Sequence, residues 1–505
     1  MPFSSGKRRA LTEPQSGDQS NNPNTSSNDQ GDEGARPGSQ GNGHPIEPRP
    51  DGLWHTPNRE AWATIDGWHY PVLSDKFRHW LAGSYYELNG DAASGYKLDE
   101  LVNAAAAEAT FKRPEHRVHL RTARQGETIW LDLADPEGRA VRIDKDGWRI
   151  VSALEVGPKF FRPPNMKPLP EPSPGKADLN PLRKLLNLSN EYTFRLLLTW
   201  LSYIIVPDQP YPVVAVSGPA GAAKSSFAEL VRTTIDPNEV PLAGMPRGQD
   251  LVAYAKNNPV LCFDNLSTIS PYLADDLCRL ATGGGLGGRI LYTDSDEATF
   301  NARRPIVLTG INDVATRGDL ADRTITVRLE KISERSRRTD AQVRKLFATA
   351  HPRILASLLD MVVMGLRQLA VVRKQRRKLP RMADFAQWGF AVAPAIGWSA
   401  NDFVSAYRAN RNEGFEAVIE DDPIAQPILS LMESRSDKAW QGTTAQLWTK
   451  LKDIAGDAAR APNFPQSPEA LGKGLSRVEP ALAARGVVIQ RDRVTAGTRI
   501  MLRAA

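Results

Sequence analysis

Large apolar residues are almost absent from the first 49 positions and then recur in periodic runs to the end of the chain. The first stretch consists mainly of Ser, Asn, Gln, Gly, Pro and Asp, which bury too little surface to offset the entropy of ordering a backbone. We therefore predict a disordered head over residues 1–53.

Residues 54–157 combine two kinds of apolar pattern. Helical spacing predicts helices over 76–86 and 98–110, and alternation predicts strands at 116–120, 128–133, 140–143 and 148–151. Turn residues at 135–138 and 146–147 separate the later strands. The pattern is typical of a small α+β domain built on an antiparallel meander.

The rest of the chain predicts four further segments. A linker over 158–180 contains the proline-dense stretch 162–175, which favours neither helix nor central strand and is expected to act as a semi-rigid spacer. Apolar strands then alternate with helices over 181–336, as in an α/β core with a parallel sheet. Helical periodicity follows over 337–421, and helices then a hairpin over 422–505. The predicted fold class is multidomain α/β.

Composition narrows the class of protein. There are 64 Lys and Arg against 58 Asp and Glu, a net charge of +6 that is compatible with a nucleic-acid partner. Two cysteines, Cys262 and Cys278, exclude a disulfide framework. The apolar stretch 194–206 is shorter than the ~20 residues that cross a bilayer, and no apolar segment follows the N-terminal basic residues. We expect a cytoplasmic protein with no membrane contact.

A phosphate-binding loop is the clearest chemical signal. The apolar strand 212–217 runs into a GxxxxGK[ST]-like sequence in which Ala223 replaces the second glycine. Small residues let backbone N–H groups close around phosphates, the lysine reaches the β- and γ-phosphates, and a hydroxyl binds Mg²⁺. The predicted ATP-binding residues are Gly218, Pro219, Ala220, Gly221, Ala222, Ala223, Lys224, Ser225 and Ser226.

Polar residues at the ends of later strands predict the rest of this site. Asp264 follows the strand 260–263, where a carboxylate can hold Mg²⁺ with Ser225. The next residue, Asn265, can orient a water but is a poor base, so the base remains open between Asp264 and the Asp275–Asp276 pair, which alternatively only solvates a helix.

Asn312 and Arg323 complete the predicted catalytic set. Asn312 ends the strand 305–310 and is placed to hold the lytic water or the γ-phosphate, a role called sensor 1. Arg323 is a candidate arginine finger for the ATP of a neighbouring subunit. The alternative for Arg323 is a salt bridge with Asp319 or Asp322; Arg304 and Arg317 are weaker finger candidates.

This order of strand, loop, helix, acidic strand, Gly-rich segment and Asn-ended strand resembles superfamily 3 helicases of the AAA+ class. The stretches 277–285, 289–292 and 303–312 look like the phage and poxvirus primase-helicase branch, and the loop looks like that of prophage ATPases. The resemblance implies a P-loop AAA+ core, ATP and Mg²⁺ as cofactors, and a ring, a hexamer in such families, with single-stranded DNA in its channel.

In such ATPases a hairpin before sensor 1 grips one DNA strand. Carried over, the hairpin is 287–301 with Arg289 as its phosphate contact, although Asp294, Asp296 and Glu297 would repel DNA. The alternative is a mobile Gly-rich loop. We find no paired metal-binding Asp with a catalytic His before residue 157, so any primase or further replication protein is expected to be a separate partner.

The C-terminal segment has the element order of a winged helix. Ser467 and Pro468 begin a helix, Thr443 caps an earlier one, and a basic hairpin follows. Such a module places its third helix in the major groove of a duplex and its wing on phosphates. The predicted DNA contacts are Lys473, Arg477, Arg491, Arg493 and Arg499, with Pro480 kinking the third helix; contact with protein is the alternative.

These expectations combine into a replication ATPase of a phage or mobile element. It would form a ring, hydrolyse ATP between subunits and translocate on DNA as a helicase. The alternatives are an origin-binding helicase loader and a nucleic-acid-triggered regulatory ATPase, neither of which unwinds DNA.

Overall fold

The computed structural model describes residues 46–246, 249–289, 297–300, 303–311, 315, 317–375, 377–494 and 497–504. The chain divides into two units, Met1–Ile46 and Glu47–Ala505, and the elements named here belong to the second. Most of the predicted disordered head lies outside the described residues.

The N-terminal region opens with a three-stranded antiparallel sheet that the sequence did not predict: β1 (Gly52–His55), β2 (Ala61–Ile65) and β3 (Trp68–Pro71). Two helices follow close to the predicted positions, α1 (Asp75–Asn89) and α2 (Gly95–Lys112). The Ser74 hydroxyl caps α1 by accepting from the Phe77 N–H. Strands of four or five residues with mixed polarity give too weak an alternation to be recognised in the sequence.

The predicted meander is present with one corrected strand. Strands β5 (Thr122–Gln125), β6 (Thr128–Asp132), β7 (Ala140–Ile143) and β8 (Trp148–Val151) pair in chain order. The predicted strand at 116–120 is instead the short β4 (Val118–His119), which pairs in parallel with β9 (Lys159–Phe160). The two-residue turn at Gly126, with φ 62°, fixes the hairpin register so that Gln125 faces Thr128.

The proline-dense segment is packed and does not act as a spacer. Leu169 is 4% exposed, and its N–H donates to the Leu133 carbonyl at 2.8 Å. The Lys167 N–H donates to the Pro237 carbonyl at 2.9 Å. The segment therefore connects the meander to the central α/β region by backbone hydrogen bonds. Its prolines restrict the backbone dihedrals between these bonded residues.

The meander also shares an apolar core with the helices that follow. That core includes Ile129, Leu131 and Ile143 of the meander together with residues of the central region. A buried ion network crosses the same boundary, because Asp236 accepts from Arg121 at 3.2 Å and from Arg232 at 3.1 Å. All three side chains are 0–1% exposed.

The central region is built on a parallel sheet in the strand order β11-β14-β10-β15. Its elements in chain order are α3 (Asn180–Leu185), α4 (Glu191–Ile204), β10 (Val213–Ser217), α5 (Lys224–Ile235), α6 (Gln249–Asn257), β11 (Leu261–Leu266), α7 (Pro271–Thr282), β12 (Leu286–Arg289), β13 (Glu297–Phe300), β14 (Ile306–Gly310), α8 (Gly318–Ala321) and β15 (Thr324–Arg328). Apolar clusters cover both faces of the sheet, as continuous Val, Ile and Leu runs predict.

Three long helices follow the sheet: α9 (Asp340–Lys374), α10 (Ala383–Val392) and α11 (Ala400–Asp421). The amide of Asn410 covers the edge strand β15, since it accepts from the Thr326 N–H at 2.9 Å and donates to the Thr326 carbonyl at 2.7 Å. Among the described helices, α9 is long and apolar enough to cross a membrane, but 56% of its apolar window is buried inside the protein.

The C-terminal elements are α12 (Ala425–Glu433), β16 (Ala439–Thr443), α13 (Thr444–Ala455), α14 (Pro468–Ala484), β17 (Val487–Val494) and β18 (Gly497–Ala504). The predicted caps are confirmed, because Thr443 accepts from the Gln446 N–H and Ser467 from the Ala470 N–H. Strand β16, which was not predicted, adds to the hairpin to make a sheet in the order β16-β18-β17.

Candidate functional site

The predicted loop lies where the carboxyl ends of the parallel strands meet. Ser217 ends β10 beside Arg328 of β15, and Val216 lies beside Thr309 of β14. Helix α5 begins directly after the loop at Lys224. This edge is where open α/β sheets bind ligands.

Two glycines of the loop are required by its geometry. Gly218 has φ 151°, and a Cβ there would lie 2.5 Å from the Leu329 carbonyl oxygen. Gly221 has φ 80°, a left-handed conformation that other residues rarely adopt. Pro219, Ala220 and Gly221 are exposed, so the loop is open to a ligand.

Ala223, the departure from the usual loop sequence, adopts a conformation that favours glycine. Its φ and ψ are 62° and 37°, and it is the N-cap of α5 without a side-chain hydrogen bond. The first N–H groups of a helix have no partners within the helix and carry partial positive charge. The first N–H groups of α5 and their partial positive charge therefore face the loop, despite the substituted alanine.

We expect Ala223→Gly to stabilise the protein by about 1 kcal/mol, because it removes the cost of a left-handed non-glycine residue. The measurement is the free energy of unfolding in urea. Ala222→Gly is the control, since Ala222 is fully buried and belongs to the apolar core, and it should destabilise. A destabilised Ala223→Gly protein would contradict the assigned strain.

Lys224 folds back over the loop. Its Nζ donates to the Gly218 carbonyl at 2.7 Å and to the Pro219 carbonyl at 3.0 Å. Arg337 brings a second cation to the same place, with its Nη2 atom 3.4 Å from where a Cβ on Gly221 would stand. Sequence reasoning missed Arg337 because it lies over a hundred residues beyond the loop, in a surface segment with several arginines.

Asp264 is held by a residue that the sequence did not single out. The Thr309 hydroxyl donates to the Asp264 carboxylate and accepts from the Asn265 N–H at 3.1 Å. Thr309 is fully buried, whereas Asp264 is half-buried. The sequence signal for Thr309 was a hydroxyl residue within the otherwise apolar strand β14. Asn265 has φ 57°, which asparagine tolerates better than most residues, and its side chain is exposed.

The other acid and thiol groups nearby have structural partners. Asp276 pairs with Arg279 at 3.3 Å, and Asp275 lies 3.8 Å from Arg317. Burial raises the pKa of the Cys262 thiol to about 12, so this group is protonated at neutral pH. These contacts favour the helix-solvating alternative for Asp275 and Asp276.

Arg323 lies at the amino-terminal ends of the parallel strands, whereas the loop lies at their carboxyl ends. It directly precedes β15, and its carbonyl accepts from the Val213 N–H at the start of β10. A five-residue strand spans roughly 16 Å, which is beyond the reach of this side chain to its own loop. The Asp322 carboxylate pairs with Arg411 and that of Asp319 lies 3.5 Å from Arg317, so neither is reserved for Arg323.

Two predicted residues of this region are only partly accounted for. Asn312 lies outside the described residues. Arg289 ends β12 opposite Glu297 of β13, so the predicted hairpin has two antiparallel strands. Its acidic positions Asp294 and Asp296 lie outside the described residues as well.

The structure divides the predicted C-terminal cations into groups. Arg477 lies 3.7 Å from Asp422 and Arg491 lies 2.7 Å from Glu479, while Lys473 and Arg493 are exposed. Because Asp492 pairs with Arg499 across the hairpin, Arg499 projects to the opposite face from Arg491 and Arg493. The predicted cations thus do not form one surface.

Comparison with known proteins places most of these elements in one family. Residues 179–415 match the sequence model of the actinomycete integrative conjugative element replication protein, RepA, and residues 424–504 match that of the RepA C-terminal domain. Together the two matches cover well over half of the chain. The chain belongs to the RepA family. The predicted role in replication of a mobile element is thereby confirmed, although the phage and poxvirus branch is not.

The two RepA matches adjoin near the end of α11. The first ends within α11 and the second begins just before α12. The N-terminal sheets precede both. The first matched region contains the loop, Asp264, Thr309 and Arg323.

Solved structures resemble this RepA chain only distantly. The SCCmec type IV Cch active helicase aligns with 90% of this chain and 92% of its own at 11% identity and TM-score 0.48. The NrS-1 C-terminal region aligns over 90% and 96% at 13% identity and TM-score 0.39. The JCV helicase covers 48% of this chain and 67% of its own at 13% identity and TM-score 0.23. No curated protein matches the chain.

Proposed function

We propose that this RepA protein is an ATP-hydrolysing, ring-forming DNA helicase that translocates on DNA during replication of its element. The observation that carries the proposal is the pairing of the Lys224 loop with the Asp264–Thr309 contact at one sheet edge. Strand β14 separates β10 from β11, and neighbouring strands lie ~4.8 Å apart. The gap of about 10 Å suits a triphosphate with its cation.

The residues of this edge fit ATP and Mg²⁺ by their chemistry. The loop N–H groups at the start of α5 and Lys224 would hold the phosphates, and Ser225 with Asp264 would hold Mg²⁺. The cation would neutralise charge that develops on the transferred phosphoryl group. Thr309 fixes the carboxylate, and Asn265 with Asn312 would orient the attacking water.

Assembly into a ring would complete each site. Arg323 lies about one strand length from its own loop, at the amino-terminal ends of the strands, where it would face a neighbouring subunit. There it would stabilise charge in the transition state of the neighbour's ATP. A hexamer is the proposed ring, with a separate primase or other replication protein as its partner.

DNA would contact two separate parts of the chain. Single-stranded DNA in the channel would meet the β12–β13 hairpin at Arg289. Duplex DNA would meet the C-terminal module, which we propose to be a winged helix, through the exposed Arg493 of its hairpin. Backbone contacts of this kind give salt-dependent, sequence-independent affinity.

We expect Thr309→Val to weaken catalysis while preserving the fold. Valine keeps the shape of threonine but cannot donate to Asp264 or accept from Asn265. Loss of a hydrogen bond to a charged group costs about 1.5–3 kcal/mol, which corresponds to a fall of about ten- to a hundredfold in Mg²⁺-dependent ATP hydrolysis. Thr309→Ser, which retains the hydroxyl, should keep most of the activity; equal loss in both variants would contradict the assignment.

A loader or regulatory ATPase is the second candidate. The observation that favours it is Asn265, which stands next to Asp264 and supplies no carboxylate base. Such a protein would hydrolyse ATP on DNA without separating strands.

The proposal is tested by ATP hydrolysis with and without single-stranded DNA, together with the particle mass in the presence of a non-hydrolysable ATP analogue. We expect DNA to stimulate hydrolysis and the analogue to yield a closed oligomer. A monomer that persists under these conditions would contradict the ring.

A further inference from the structure

The short helix α8 lies in direct contact with the C-terminal helix α14. A Cβ on Gly318 of α8 would stand 1.9 Å from the Arg477 carbonyl oxygen and 3.4 Å from the Pro480 Cδ atom. Only glycine permits this approach of two backbones. Ala321, at the other end of α8, is 1% exposed and belongs to the apolar core of the C-terminal module.

The same helix holds the candidate arginine finger. The Arg323 Nη1 atom donates to the Asp319 carbonyl at 2.6 Å, and the Arg323 N–H donates to the Leu320 carbonyl at 3.0 Å. Asp322, between α8 and Arg323, pairs with Arg411 of α11. The position of the Arg323 guanidinium therefore depends on α8, and α8 is held by α14.

Proline within α14 is consistent with this contact. Pro480 lacks an N–H and displaces the carbonyl four residues earlier, which bends a helix. Pro480 lies in the turn of α14 that meets Gly318. A proline that is unfavourable in a groove-reading helix thus lies at the contact with α8.

The free surface of α14 is poorly suited to a DNA backbone. Its exposed positions include Glu469, Lys473 and Ser476, and Glu479 is half-buried and paired with Arg491. One free lysine among these acids gives no positive stripe. Arg477 lies beside Asp422 at the end of α11.

We propose that α14 is a brace that positions Arg323, so that the C-terminal module controls ATP hydrolysis in the neighbouring subunit. The contact between Gly318 and Arg477 transmits the position of the module to Asp319 and from there to the guanidinium. The proposal rests on the trans-acting arginine of the proposed function. Arg323 is the catalytic residue, and Gly318 is a positioning residue that acts through it.

Mixed full-length subunits test this proposal. Arg323→Ala subunits keep their nucleotide site but lack the finger, and Lys224→Ala subunits keep the finger but lack the site. Mixing the two should restore DNA-stimulated ATP hydrolysis by about 10²-fold over either alone, because an arginine finger is worth at least about 10³. No restoration would contradict the trans arginine, and with it the brace.

Gly318→Ala is then added to one subunit type at a time. In the Lys224→Ala subunit, which supplies the finger, it should reduce the restored activity by about 10²-fold, since a misplacement of ~1 Å costs that much. In the Arg323→Ala subunit it should have little effect. Equal loss in both arrangements would mean that Gly318 has a general structural role. That result, or no loss in either arrangement, would overturn the brace but not the trans-acting arginine.

Gly472→Ala is the matched control on the same helix. A Cβ there would lie 4.0 Å from the nearest side-chain atom, Thr444 Cγ2, which is an ordinary contact. This variant should leave the restored activity unchanged in both arrangements. A loss equal to that of Gly318→Ala would contradict the specific contact.

Discussion

Replacement of Lys224 by alanine is expected to lower the rate of ATP hydrolysis by about 10²–10³-fold, the usual loss when one preorganised charge is removed from a reacting group. The Lys224 ammonium contacts two carbonyls of its own loop at 2.7 and 3.0 Å, so it is already directed at the space that phosphates would fill. The measurement is steady-state phosphate release with saturating Mg²⁺ and single-stranded DNA.

Two controls test whether the loss of activity is specific to the positive charge of Lys224. Lys256, an exposed lysine of α6, should tolerate alanine without loss of activity. Affinity of the Lys224→Ala protein for DNA should stay within about twofold of wild type, since Lys224 lies in the proposed nucleotide loop and not among the proposed DNA contacts. A Lys224→Ala protein that hydrolyses ATP at the wild-type rate would show that the site lies elsewhere.

Arg323→Ala is expected to lower kcat by about 10³-fold, the lower end of the effect of an arginine finger. Affinity for ATP in the isolated subunit should not change, because Arg323 lies beside Val213, at the ends of the strands opposite the loop. This separation of kcat from binding is the reason for measuring both, by turnover and by nucleotide titration.

The comparison residue for Arg323 is Arg279. Its side chain is 55% exposed and pairs with Asp276 within the same helix, so alanine there should cost less than about 1 kcal/mol of stability and leave kcat unchanged. If Arg323→Ala reduced ATP affinity in monomers as strongly as kcat, a role within its own subunit would replace the trans role.

Local signals correctly predicted the strand–loop–helix around Lys224 and the helix caps. Loop residues from Gly218 to Ser226 are contiguous, and the caps at Thr443 and Ser467 depend on the next three residues alone. Such features are fixed by short-range chemistry, so one sequence suffices to find them. The alternation of strands and helices predicts a parallel sheet but not the order of its strands.

Long-range contacts account for what the sequence did not reveal. Thr309 meets Asp264 across 45 positions, and Gly318 meets Arg477 across 159. The packing of Leu169 on the meander likewise depends on a partner that no local pattern identifies. Arg477 was predicted as a DNA contact because the helix pattern shows a basic side chain but not that Asp422 is its neighbour.

Strand displacement on a forked DNA with ATP and Mg²⁺ tests the proposed helicase activity. We expect the wild-type protein to release the strand, and the Lys224→Ala protein to bind the fork and leave it paired. A wild-type protein that hydrolyses ATP on the fork yet leaves the strands paired would contradict the helicase and favour the loader.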